Sequence, residues 1–144
     1  MTTRHIKSFY VNSSNTSLTT SNGTKFDTPV FFYKDNILIQ WNVVDSKRAV
    51  VDLTSSVFTF KINETYNGTN LLTVANSDFV AGDWSGWDIS NGKICCRVDM
   101  NQAAIGTYIN LSASETAQAS LWVTLGGYNY CLATFEITIK NLIF

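Results

Sequence analysis

The alternation of apolar and polar residues that begins at Ile37 limits the fold of this chain more than any other feature. Apolar side chains occupy every second position from Ile37 through Trp41 to Val43. This period of two is that of a β-strand with one buried face. A polar break at residues 45–48 follows, and an apolar stretch resumes and ends at Leu53. The pattern predicts a β-rich layer and points to no reaction.

Composition excludes several classes of function. The chain has 144 residues, of which 45% are hydrophobic and 15% are charged, and its net charge is −1. Nucleic acid is excluded as a partner, because the excess of basic residues that drives such binding is missing. We expect no membrane association, because no run of about 18 apolar residues occurs. The first ten residues also lack the apolar stretch of a secretory signal.

Further alternating segments extend the β prediction along the chain. Strands are predicted at 57–64, 71–75, 93–98, 119–125 and 130–139, and a turn at 66–69 joins the first two as a hairpin. Residues 99–106 predict one helical turn that ends at Gly106. Strands of this length and spacing are typical of an immunoglobulin-like antiparallel β-sandwich of about seven to eight strands.

The amino-terminal part has a different composition. Positions 12–24 contain eleven Ser, Thr or Asn residues out of thirteen. Such a segment cannot bury enough apolar surface to order itself. It is either a mobile arm or an extended strand that gains order against a neighbour. The sequence therefore predicts an arm over residues 1–29 and a sandwich domain over residues 30–144.

The last predicted hairpin indicates an interface. Its two apolar faces coincide only if the connection has an odd number of residues, so we expect a three-residue loop at 126–128 or an equivalent bulge. That register places Cys131 inward and leaves Trp122, Tyr130 and Leu132 on the outer face. An exposed apolar patch of this kind marks an interface, unless a loop or the arm covers it.

The carboxyl end carries a second apolar group, formed by Leu142, Ile143 and Phe144. Either these residues extend the last strand into the core or they dock on a neighbouring subunit, as an exposed apolar end tends to do. We include all three among the predicted interface residues.

The sequence offers no suitable base for nucleophilic catalysis. The single histidine, His5, lies in a polar leader, so a serine or cysteine nucleophile would have no base. Cys95 and Cys96 are adjacent on a predicted strand and point to opposite faces, so they cannot converge with Cys131 on zinc. We expect no catalytic residue, no metal and no cofactor, and hence no enzyme.

The connection at residues 76–92 is the one segment with the residues of a ligand site. Asp83, Trp84, Trp87 and Asp88 bring carboxylates beside indoles, which suits calcium or a sugar ring. Against that, aromatic residues in a long loop at the end of a sandwich more often close the core. The packing role is favoured, and a carbohydrate or calcium site is the alternative.

Short motifs follow one another in a fixed order between residues 34 and 141. They are Asp35-Asn36-Ile37, Trp41-x-Val-x-Asp45, Val51-Asp52-Leu53-Thr54, the stretch from Val57 to Lys61, Leu71-Leu72, Gly82-Asp83-Trp84 and the stretch from Gly92 to Asp99. In this order they resemble the immunoglobulin-like amino-terminal domain of upper baseplate proteins in tailed bacteriophages. The motifs build a fold and carry no catalytic residue.

The resemblance implies a virion structural protein that attaches tail, fibre or baseplate parts to one another. Its partners would be other virion proteins, and its location would be the virion, assembled in the host bacterial cytoplasm. Structural subunits normally associate with closed symmetry, so we expect a homo-oligomer, a trimer or a hexamer. The chain departs from the family in its Ser/Thr/Asn-rich front segment and in stopping where baseplate proteins continue. Alternative functions are a carbohydrate-binding module for a host surface glycan and a capsid decoration protein.

Overall fold

The structure is a computed structural model that describes residues 4–110 and 112–141. Two sheets pack face to face as a β-sandwich, which confirms the predicted fold class. Within the described ranges there are nine strands: β1 (His5–Asn12), β2 (Ser17–Thr19), β3 (Val30–Phe32), β4 (Asn36–Val44), β5 (Val57–Asn63), β6 (Asn70–Val74), β7 (Lys93–Asp99), β8 (Ser114–Leu125) and β9 (Tyr128–Lys140).

The strand order is β2-β1-β4-β7 in the four-stranded sheet and β3-β9-β8-β5-β6 in the five-stranded sheet. Strands β1 and β4 are parallel, and so are β3 and β9, so each sheet is mixed and not purely antiparallel as predicted. The chain crosses to the five-stranded sheet at β3 before it returns to the four-stranded sheet at β4. That crossing is what allows β4 to run in the same direction as β1.

The amino-terminal segment is part of the sandwich, which corrects the predicted division into an arm of residues 1–29 and a domain of residues 30–144. Strand β1 pairs with β4 along all eight of its residues. Phe9 and Val11 of β1 are buried in the core, as is Leu18 of β2. The Ser/Thr/Asn-rich composition hid this short alternation, because three apolar residues suffice when the neighbouring strands supply the rest of the core.

The core forms around Trp41, which is fully buried as the alternation predicted. Its ring centroid lies 5.4 Å from that of Phe9, 5.5 Å from Phe60 and 6.1 Å from Phe135. Its indole N–H donates to the Cys96 Sγ at 3.5 Å. Residues from both sheets therefore meet on one side chain, and the indole has its polar atom satisfied.

The helix differs from its prediction. Helix α1 covers Ala103–Ile109, so Gly106 lies inside the helix and does not end it. Ile105 and Ile109, four residues apart, share one face and are buried in the core. A Cβ on Gly106 would stand 2.5 Å from the Tyr33 hydroxyl. Close packing, and not helix termination, explains this glycine.

Gly92 joins the 76–92 connection to β7 in a left-handed conformation. Its φ is 74°, and an added Cβ would lie 2.4 Å from the Val43 carbonyl oxygen. We expect Gly92→Ala to lower the free energy of unfolding by about 2 kcal/mol or more, through left-handed strain and this clash. Chemical denaturation measures the change. Gly82→Ala is the matched control, since nothing lies within 4 Å of its Cβ position. Equal losses in the two variants would contradict the explanation.

Candidate interaction surface

The hairpin between β8 and β9 turns through two glycines. Gly126 and Gly127 have φ values of 61° and 82°, and Leu125 pairs directly with Tyr128. Two residues with positive φ between paired strands form the tight hairpin turn that matches the twist of a sheet. No atom lies within 4 Å of either Cβ position, so this turn projects away from the rest of the described chain.

The register of this hairpin corrects the predicted one. The loop has two residues, and the register shifts at Leu121/Trp122, so Leu132 is the extra residue of a β-bulge. Beyond the bulge, Ala133 pairs with Leu121 and lies inward as predicted. Between the turn and the bulge the pairing differs by one residue. There, Cys131 pairs with Trp122 on the outer face instead of pointing into the core.

This register places the three predicted interface residues of the hairpin in different environments. Leu132 is 6% exposed and belongs to the core, so its assignment to an exposed patch is wrong. Trp122 lies on the outer face but is half-buried, and its Nε1 donates to the Ser120 Oγ at 2.9 Å. Tyr130 is exposed, but it pairs with Val123 and therefore lies on the core-facing side of the sheet. The predicted outer-face patch does not form.

An exposed apolar group does form, on the opposite side of the same hairpin. Leu125, Tyr128 and Tyr130 share the core-facing side with Val123, yet they are 40%, 69% and 51% exposed. The hairpin extends past the part of the sandwich that covers Val123. The two tyrosine rings lie side by side, with centroids 6.5 Å apart. We name Leu125, Tyr128 and Tyr130 the overhang patch.

The predicted interface also includes three residues at the carboxyl end. Leu142, Ile143 and Phe144 lie outside the described residues. Their two alternative placements therefore remain predictions.

The side chains of the candidate ligand segment make contacts within the segment or with the core. The connection contains three short 3₁₀ turns, at 76–78, 81–83 and 89–91. Asp88 accepts hydrogen bonds from Ser90 Oγ at 3.0 Å and from Asn91 Nδ2 at 2.6 Å. The indole of Trp84 folds back over Gly86, where a Cβ would come within 2.5 Å of it. Trp87 packs against the core. These contacts support the packing role.

Asp83 anchors this segment to the outer side of the four-stranded sheet. Arg97 of β7 donates two hydrogen bonds to the Asp83 carboxylate, at 2.5 and 2.9 Å. Nearby, the Cys95 thiol donates to the Val80 carbonyl oxygen at 3.3 Å. Leu38 is also buried, although it is not part of the core between the sheets. The segment thus covers part of the outer face and uses its best-placed carboxylate to do so.

The ion pair gives the stability of the protein a dependence on acid. Hydrogen bonds from Arg97 hold the pKa of Asp83 below its usual value. A lowered folded-state pKa contributes stability above the unfolded pKa of about 4, and this contribution is lost as the pH falls through the folded value. We expect Asp83→Asn to reduce the fall in melting temperature between about pH 5 and pH 2. Thermal unfolding monitored across this range measures it.

Asp27→Asn is the control for that measurement. Asp27 is exposed in the connection before β3 and forms no ion pair within the described residues. This control should retain the acid dependence of the unchanged chain. If Asp83→Asn also retains it, the ion pair does not carry the acid dependence.

The three thiols lie in surroundings that make them unreactive. Burial raises the pKa of Cys95 to about 11 and raises those of Cys96 and Cys131 as well. Thiols of this kind stay protonated near neutral pH, and the protonated form is a poor nucleophile and metal ligand. In residues 4–110 and 112–141, no group of three His, Cys, Asp or Glu side chains is placed to hold a metal ion. The same ranges contain no helix long and apolar enough to span a membrane.

Comparisons with known proteins identify solved structures that share this fold. No family model and no curated protein sequence matches the chain. Eight chains of solved structures match it. One of them is the "N-terminal domain of phage TP901-1 ORF48", with a TM-score of 0.53 and 10% sequence identity. The match covers 94% of this chain and 98% of that chain. At this identity the likeness shows a shared fold across nearly the whole chain.

Proposed function

We propose that this chain is a non-enzymatic structural protein of a bacteriophage virion, which joins tail parts through protein–protein contacts. The supporting observation is the fold shared with the amino-terminal domain of a phage TP901-1 protein over almost the full length of both chains. The sequence resemblance to upper baseplate proteins rests on the order of short motifs and agrees with this fold. The baseplate is therefore the proposed station on the particle.

The arrangement of side chains is consistent with a binding role. The apolar surface of the overhang patch offers contact area, and tyrosine is enriched at the centres of protein interfaces. The carboxylates of the candidate ligand segment are engaged in the protein's own structure. Trp84 and Trp87 are likewise packed against their own chain. Glycan binding would need both indoles exposed on one groove, whereas both are half-buried and Trp87 packs against the core. The fold and the overhang patch favour assembly instead.

The composition of purified particles tests this proposal. Particles released from the bacterium that carries the gene are banded on a density gradient, washed with high salt and analysed by mass spectrometry. We expect the chain in the particle band, in a fixed ratio to the major tail protein. Tails detached from heads should retain it if it belongs to the baseplate. Its absence from particles would overturn the proposal, and its recovery with heads would favour capsid decoration.

A further inference from the structure

The edge of β9 beside the overhang patch has no backbone partner along half of its length. Strand β9 has thirteen residues. On the edge that faces away from β8, β3 pairs only with residues 138–140. A backbone bond from Thr134 to the Thr16 carbonyl oxygen, at 2.9 Å, is the next contact on that side. Within the described residues, 128–133 make no backbone hydrogen bond away from β8. Every second residue there directs its N–H and C=O outward.

The other strands with free edges are protected from pairing. The uncovered half of β1, residues 5–9, carries Lys7 and follows Arg4, and charge on an edge repels a second strand. On β6, the Asn70 side-chain amide donates to the Leu72 carbonyl oxygen at 3.0 Å. Helix α1 also packs against β6. Strands β2 and β3 have three residues each, which is too short to attract a partner.

Strand β7 is protected in a different way. The backbones of Asp88 and Lys93 exchange two hydrogen bonds, at 2.9 and 3.0 Å. The Asp83 carboxylate accepts hydrogen bonds from Arg97 of the same strand. The 76–92 connection therefore covers the start of this edge, and Arg97 and Asp99 place charges along the rest of the strand. Of the described edges, that of β9 at residues 128–133 has neither charge nor a covering segment.

The chemistry of the β9 edge suits an identical edge. Residues 116–135 contain no Asp, Glu, Lys or Arg. Two copies brought together along this stretch meet no like-charge repulsion, and no charge is present to select an ionic partner. The stretch has neither the lysine nor the proline that commonly protects an edge, and the bulge at Leu132 leaves the strand regular over residues 128–131. An antiparallel strand of the same sequence satisfies the outward backbone groups of both copies.

We propose that two copies of this chain associate through antiparallel pairing of their β9 edges at residues 128–133, which joins two five-stranded sheets into one. Such pairing has two-fold symmetry and is closed, so this contact by itself joins two copies and no more. The overhang patches of both copies then adjoin the joint and extend the contact. A hexamer can be built from three such pairs, whereas a plain trimer cannot. The inference deepens the proposed function and rests on it for its place in the particle.

Sedimentation velocity of the full chain over a concentration series tests the pairing. We expect the unchanged chain to shift from monomer to dimer as the concentration rises. Asn129→Pro should raise the dissociation constant at least about tenfold, because it removes an outward N–H from both copies. Asn129 is the residue after the turn pair Leu125/Tyr128, and its backbone N–H faces away from β8.

Matched variants separate pairing from folding. Asn129→Ala removes the side chain that accepts from Thr124 but keeps the backbone N–H, so it should dimerise like the unchanged chain. Tyr130→Lys should weaken dimerisation, because the two-fold axis brings the added charges together. Tyr66→Lys changes an equally exposed tyrosine in the β5–β6 turn and should have no effect. Melting temperatures show that each variant is folded.

Two results would overturn the pairing. One is an unchanged chain that stays monomeric at every concentration, and the other is a dimer that Asn129→Pro does not weaken. Neither bears on the presence of the chain in purified particles, which tests the proposed function separately. A chain found in particles but monomeric in solution refutes the pairing alone. A chain that dimerises but is missing from particles refutes the virion role alone.

Discussion

A chain that begins at residue 20 is expected to show no cooperative unfolding transition. This truncation removes β1 and β2, and with them the partner of β4 along eight residues. It also exposes the core side chains that Phe9 covers. Strand β1 lies between β2 and β4 in its sheet, so its loss leaves β4 as an unprotected edge and opens the core to water. Circular dichroism during thermal unfolding, with near-ultraviolet signals from the aromatic core, measures the effect.

Point variants on the same strand give the matched comparison. The ring of Phe9 contacts those of four aromatic residues, Phe26, Phe31, Trp41 and Phe135, at centroid distances of 5.4 to 6.4 Å. We expect Phe9→Ala to lower the free energy of unfolding by about 3–5 kcal/mol. Ile6→Ala, at a position that is 63% exposed, should change it by no more than about 0.5 kcal/mol. A truncated chain that melts cooperatively would show that the segment is a dispensable arm after all.

Trp41→Ala is the second variant with a large expected effect. The side chain is completely buried between aromatic residues of both sheets, Phe9 of one and Phe60 and Phe135 of the other, so its removal leaves a cavity that the packed rings cannot fill. It also leaves the Cys96 thiol without its N–H donor. We expect a loss of about 3–5 kcal/mol in the free energy of unfolding, measured by denaturant titration.

Trp122→Ala provides the control with the same chemical change. Trp122 is half-buried on the outer face of β8, and its indole N–H donates to a neighbouring serine. Its truncation should cost less than half as much as that of Trp41, because solvent already reaches the site. Losses of equal size would contradict the position of Trp41 at the centre of the core.

The strong alternations in the sequence predicted the β architecture well, because each strand reveals its buried face by itself. Ile37, Ile39, Trp41 and Val43 lie inward in β4 as expected. The β5–β6 hairpin also has the predicted partners. The sequence did not predict β1, because its apolar positions indicate a buried face only when β4 is known to lie beside it. No local pattern identifies a strand that depends on a parallel neighbour 32 residues away.

The predicted outer-face patch of the last hairpin was wrong for a different reason. The sequence correctly predicted that the β8–β9 hairpin contains either a three-residue loop or a bulge. The structure has a two-residue loop and a bulge at Leu132. A displacement of a few residues turned Tyr130 to the other side of the sheet. The Gly126-Gly127 pair was the available signal, since two adjacent glycines favour a two-residue turn. The exposure of Tyr128 depends on where the opposite sheet ends, which is a tertiary property.

Chemical labelling of the tyrosines tests the central claim, that the overhang patch is a contact surface of the assembled particle. Hydroxyl-radical oxidation is applied to dilute chain and to intact particles, and the modification of Tyr128, Tyr130 and Tyr66 is measured by mass spectrometry. All three are exposed in the single chain. We predict that Tyr128 and Tyr130 are protected at least about fivefold in particles relative to Tyr66, as burial in an interface requires. Equal modification of Tyr128 and Tyr130 in free chain and particles would contradict the account.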